Sequence, residues 1–182
     1  MRALLVLLAA AWTSAADPPA RFFLSSPSFA DENPILRKHT CDSEDASPPL
    51  VWSGLPEQAR VLAITVEDLD APAGVWVHWV IYDVPAAPGQ ILAGQPRRPT
   101  LGEGAKQGRA WGPRTATVET FETVGWRGPC PPKGANPHRY VFRAYALSSS
   151  TGLKGGATEE ELLEAIQGKI VAQAELTGTY GR

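Results

Sequence analysis

The run VLAITV at residues 61–66 constrains the fold more than any other stretch of the chain. Its residues are β-prone in an unbroken row and leave no polar face for water, which suits a strand buried on both sides. Two longer runs follow the strand period. In VWVHWVIY at 75–82, Val75, Val77, Trp79 and Ile81 would share one face, and Trp76, His78, Val80 and Tyr82 the other. In HRYVFRAYAL at 138–147, His138, Tyr140, Phe142, Ala144 and Ala146 would face one way, and Arg139, Val141, Arg143, Tyr145 and Leu147 the other. Shorter strands are expected at 22–24 and 50–52, and a last one where Ile170, Ala172, Ala174 and Leu176 alternate with polar residues. One helix is well marked. Thr158 and Glu161 form a capping box, Leu162, Leu163 and Ile166 supply an apolar stripe, and Gly168 is a natural stop. Seventeen prolines and seventeen glycines favour turns over long helices. The expectation is a mainly β chain, an antiparallel β-sandwich with one or two short helices.

The length of 182 residues suits one domain. The N-terminus reads as a leader rather than as part of that domain. Arg2 is a minimal positive region, residues 3–12 are apolar, and Ala15 and Ala16 offer cleavage points. The expected division is a signal peptide at 1–16 and a single domain at 17–182, which makes the mature protein periplasmic or secreted. No apolar run is long enough to span a bilayer. The net charge is −2, and −3 once Arg2 is removed, with no basic block to hold nucleic acid. Cys41 and Cys130 are an even pair that an oxidising compartment could join; two separate buried thiols are the other reading.

The polar residues of interest stand at strand ends or within strands. Asp68 and Asp70 follow the buried run directly, and a charged pair there is costly unless it is hydrogen-bonded or paired. They read either as acceptors at a pocket mouth or as aspartates that cap their own turn. His78 lies among Trp76 and Tyr82, and a strand histidine is more often packed than chemical. His138 and Tyr140 add a second polar pair. The stretch GPCPPKGANPHRY at 128–140 stiffens the chain just before them. Pro131 and Pro132 fix two φ angles and remove two donors, while Gly128 and Gly134 allow tight turns or close approach. Such a loop loses little entropy on binding and suits a preformed pocket wall, or else a plain rigid turn. Residues 85–125 read as a long surface excursion, with a hairpin within 115–124.

Several spaced motifs together resemble the phosphatidylethanolamine-binding protein family, and its bacterial branch, described as Raf kinase inhibitor-like, most closely. They are DLDAP at 68–72, VHW at 77–79, GPCPPKG at 128–134 and HRY at 138–140, with TCD at 40–42, SPPLVW at 47–52 and LTGTYGR at 176–182. Leu69 stands where the family usually has proline, Ser43 where glycine is common, and Trp126 where tyrosine is common. The resemblance implies a β-sandwich with a small anion pocket for phosphate-like head groups near one end. Carried over, its wall and floor would be Asp68, Asp70, Pro72, Trp76, His78, Gly128, Cys130, Pro131, Pro132, His138 and Tyr140.

Three functions are compatible with this. The favoured one is an exported, non-enzymatic binding protein for a small anionic ligand or phospholipid head group, without cofactor. The second is an inhibitor of a protease or regulator of a signalling partner; a protein partner and a homodimer both stay open. The third is a phosphoester hydrolase using His78 and His138 as acid and base. It lacks a serine-elbow nucleophile, and His39, His78 and His138 have no metal-like spacing.

Overall fold

The computed structural model describes residues 21–113 and 122–182. The expected signal peptide lies outside the described residues, as does most of the segment in which a hairpin is expected. The strands are β1 (Phe23–Ser25), β2 (Asn33–Pro34), β3 (Leu50–Ser53), β4 (Val61–Asp68), β5 (Trp76–Pro85), β6 (Gln90–Ile91), β7 (Lys106–Gln107), β8 (Arg109–Trp111), β9 (Glu122–Val124), β10 (His138–Leu147) and β11 (Ile170–Tyr180), with one α-helix, α1 (Glu159–Ala165), before β11. A 3-10 turn covers Arg37–His39.

The strands form two sheets. The large one runs β2-β11-β10-β4-β5-β8-β9, with β7 also paired to β5; the small one runs β1-β3-β6. Pairing is antiparallel except between β11 and β2. The sheets face each other across a core that includes Leu24, Leu50 and Trp52 from the small sheet and Leu62, Ile64, Val66, Trp79 and Phe142 from the large one. The other face of the large sheet carries Ala63, Val77, Val80, Tyr82 and Leu147, covered by Leu162 and Ile166 of the α1 segment. This is why the 61–66 run has no polar side: β4 is central and both of its faces are packed. The layers are thus small sheet, large sheet and helix. The helix begins as its capping box requires, with Thr158 accepting from the Glu161 N–H and Glu161 accepting from the Thr158 N–H.

Two details depart from the sequence expectation. First, β5 does not alternate evenly. Val66 pairs with Trp79 and Glu67 with Val77, so His78 is an extra residue that the partner strand does not match. A bulge of this kind shifts the face on which the following residues point. Val77 therefore joins Val80 and Tyr82 on the helix side, and His78 no longer shares their face. Second, residues 85–125 are not a surface excursion throughout. Strands β6, β7 and β8 return to the sheets within it, and Gln107 is fully buried. Its amide is satisfied: the Trp79 Nε1–H donates to Oε1 at 2.7 Å, and Nε2 donates to the Pro96 carbonyl at 2.7 Å. Among the described residues no helix is long and apolar enough to cross a membrane.

Candidate functional site

The polar residues meet because three neighbouring strands bring them to one end of the large sheet. β4 finishes at Asp68 and β10 starts at His138. Their register sets Tyr140 opposite Asp68, which in turn lies opposite Trp76 of β5. Beside the bulge, the His78 ring meets the Tyr140 ring edge-on, with centroids 5.1 Å apart. Asp68, His78, His138 and Tyr140 are all buried.

The hydrogen bonds fix the proton positions. His78 Nδ1 lies 2.6 Å from the Arg127 carbonyl, which can only accept, so Nδ1 carries hydrogen. His138 Nδ1 donates to Asp68 Oδ2 at 2.8 Å. Asp68 Oδ1 accepts from the Asp70 N–H at 2.9 Å, so the carboxylate both orients a histidine and closes its own turn. Neither Nε2 bonds to a described residue. The Tyr140 hydroxyl is buried with no partner in full hydrogen-bond geometry, although the Asp68 carboxylate lies close to it; burial pushes its pKa up, and the Asp68 charge and its contact with the hydroxyl add to this. Burial likewise holds the His78 imidazole below its ordinary value, against the Arg127 carbonyl and the Asp68 charge.

Asp70 turns elsewhere. It accepts from the Arg139 backbone N–H at 2.8 Å, from Nε at 2.9 Å and from Nη2 at 2.7 Å. These guanidinium bonds hold its carboxyl at about 2. With Asn136, Pro137, His138 and Arg139 it lines an outer cleft of about 410 Å³. Pro72 is exposed at the turn after Asp70, and Trp76 is half-buried. Gly112 lies against the Trp76 ring, where a Cβ would come within 2.3 Å.

The wall at 128–134 is stiff for more reasons than its prolines. Cys41 and Cys130 are joined in a disulfide, with Cα atoms 5.4 Å apart. The Cys41 N–H donates to the Pro129 carbonyl at 3.1 Å, and the Gly128 N–H to Asp45 Oδ1 at 2.6 Å. Gly128 has no room for a side chain: a Cβ would meet the His39 carbonyl oxygen at 2.4 Å. Pro131 is buried, while Cys130 and Pro132 are exposed. The C-terminus braces the same wall. Arg182 Nη1 donates to the Pro131 carbonyl at 3.4 Å, and its Nε pairs with Asp42 at 3.1 Å. The Tyr180 hydroxyl donates to Asp42 at 2.6 Å, which holds the Asp42 carboxyl below its usual range.

Sequence reasoning on single residues missed this bracing set of Asp42, Asp45, Tyr180 and Arg182, together with the Arg127 carbonyl. Their partners lie far away in sequence and no local pattern marks them. His39 is a structural histidine, fully buried between the Ala46 carbonyl at 2.8 Å and Ser28 Oγ at 3.0 Å. Among the described residues, no group of three or more His, Cys, Asp or Glu could hold a metal ion.

Comparison with known proteins gives one consistent answer. A family model described as phosphatidylethanolamine-binding protein matches residues 25–181. A UPF0098 protein of Methanothermobacter thermautotrophicus is 40% identical over 159 residues, covering 87% of this chain and 98% of that one. A UPF0098 protein of Aquifex aeolicus is 39% identical over 158 residues, covering 86% of each chain. Among solved structures, a phosphatidylethanolamine-binding protein homolog from Chlamydia trachomatis superposes with a TM-score of 0.75 at 36% identity, over 90% of this chain and 99% of that one. E. coli YbcL, described as a new member of the mammalian PEBP family, gives 0.74 at 28% identity, over the same shares.

Proposed function

The chain belongs to the phosphatidylethanolamine-binding protein family, and from that premise we propose that it is an exported binding protein whose site holds the phosphate of a head group or of a phosphorylated small molecule. One observation carries this reading. Two imidazole Nε2 atoms on buried rings, neither with a partner among the described residues, lie with the buried Tyr140 hydroxyl at one end of the large sheet, beside the Asp68 carboxylate. A buried hydroxyl without a hydrogen bond in good geometry is costly, and a ligand that pairs with it and with the two Nε2 atoms recovers that cost. A small apolar-walled pocket with a few convergent polar groups is the usual form of a small-molecule site. Binding is favoured over hydrolysis because Cys41 and Cys130, the two cysteines at the wall, are joined in a disulfide and offer no thiol nucleophile. Export is supported by the N-terminal leader pattern and by the disulfide, which persists in oxidising compartments.

The test is a thermal-shift screen with phosphate, phosphoethanolamine, acetate, nucleotides and short-chain phospholipids. Ligands that bind the folded state raise the melting temperature in proportion to RT ln(1 + [L]/Kd), so even weak binders register at high concentration. A shift with the phosphorylated compounds that is lost in His138→Ala is the expected result. Equal shifts in both proteins would count against this site.

A further inference from the structure

We infer that an anion enters this site together with a proton, so that a phosphodiester binds only as one imidazole of the His78–His138 pair becomes charged. This rests on the reading of the site as an anion pocket. Donors and acceptors around the site do not balance for an anion. Nδ1 of His78 is committed to the Arg127 carbonyl and Nδ1 of His138 to Asp68. With both rings neutral, each Nε2 presents a lone pair. Of His78, His138 and Tyr140, only the hydroxyl, which lies close to Asp68, then has a proton to donate to a bound oxyanion, while the two Nε2 lone pairs repel it. A single added proton converts this to two donors and one acceptor. A phosphodiester has no proton to bring, so the imidazoles must take one from solvent. A phosphomonoester or free phosphate can carry the proton in on its own oxygen.

The surroundings admit that charge. Around His78 stand Asp68 on β4, Asp45 after the 37–39 turn and Arg127 in the loop before Gly128. Around His138 stand Asp68, Asp70, Arg139 and Tyr140, with Tyr180 opposite it on β11. Asp70 is committed to Arg139, and Asp45 to Arg97 and the Gly128 N–H. Asp42 is committed to Tyr180 and Arg182. Asp68 is therefore the carboxylate that compensates a charged imidazole, through its direct bond to His138. Without a ligand, burial favours the neutral form of His78.

The experiment is titration calorimetry of the full chain with glycerophosphoethanolamine as the diester, phosphoethanolamine as the monoester, and inorganic phosphate. Each is run in two buffers of different ionisation heat, from about pH 5.5 to about pH 8.5, the span over which imidazoles titrate. The diester should take up about one proton per molecule bound at the alkaline end, and its affinity should fall about tenfold per pH unit there. The monoester should hold its affinity until its own second ionisation, near about pH 6, and decline only beyond it. A glutamine amide donates at every pH, so His78→Gln or His138→Gln should reduce proton uptake by the diester to near zero. Diester binding that is independent of pH and of buffer overturns the inference, as does full uptake in both variants. Where a variant fails to fold, the two-buffer comparison on the unsubstituted protein decides alone. No heat from any of the three ligands at any pH would instead overturn the anion-pocket reading itself.

Discussion

At Asp68 a single buried carboxylate serves two neighbours, His138 through one oxygen and the Asp70 N–H through the other. Asp68→Ala would strand both donors in a buried place. The expected loss is about 1–3 kcal/mol of stability, read by urea unfolding, with weaker phosphate binding. Asp70 behaves differently because Arg139 holds its carboxyl at about 2, below the ordinary 3.8. A depressed carboxyl contributes stability that is fully present above its unfolded value and lost as pH falls through its folded one. Melting temperature should therefore drop between about pH 4 and about pH 2, and Asp70→Asn should flatten that drop. The buried histidines act at higher pH. Both His39 and His78 are held below the ordinary 6.5 by burial. Below that value the unfolded chain takes protons that the folded one refuses, so their contribution is complete above pH 6.5 and declines as pH falls beneath it. His39→Gln should lessen the slope of stability against pH on that side; an unchanged slope would contradict the assignment.

At the scale of elements, the pocket wall is held from outside as much as by its own prolines. The disulfide closes a sequence separation of 89 residues. In the chain-entropy model a loop of that size gives about 4–5 kcal/mol, so Cys41→Ser with Cys130→Ser should lose an amount of that order in urea unfolding. Gly128→Ala should cost about 1–3 kcal/mol, because the atoms a Cβ would strike include backbone of the 39–40 turn, which has little freedom to give way. The same variant should weaken anion binding if the wall shapes the pocket, and leave it unchanged if the wall is only a turn. Thr158→Ala, which removes the helix cap far from the site, should cost about 1 kcal/mol without touching binding.

At the scale of the whole molecule, the long strands and the helix were legible because each carries a periodic pattern and clear boundaries. The central position of β4 followed from its apolar run, and both faces of it are indeed covered. The middle third was not legible. Strands β6, β7 and β8 have two or three residues each, too short for any period to show, and Gln107 looks polar while sitting fully buried. The bulge at His78 was hidden for a related reason: an alternating pattern gives no sign of where the partner strand skips a residue. Asp68, His78, His138 and Tyr140 could be singled out from their places at strand ends and beside aromatic residues. The division of labour between Asp68 and Asp70 could not, since it depends on where Arg139 points.

The chain has three histidines, which makes one measurement especially direct. Long-range imidazole nitrogen–proton NMR spectra of the protein, recorded as inorganic phosphate is added, report each ring's tautomer and its contacts. Nδ1–H tautomers at His78 and His138 are expected before addition, with movement of their Nε2 signals on addition and a still signal from His39. Phosphate that leaves the His78 and His138 rings unmoved, or that moves His39 equally, would contradict the claim that these two histidines form the floor of an anion site.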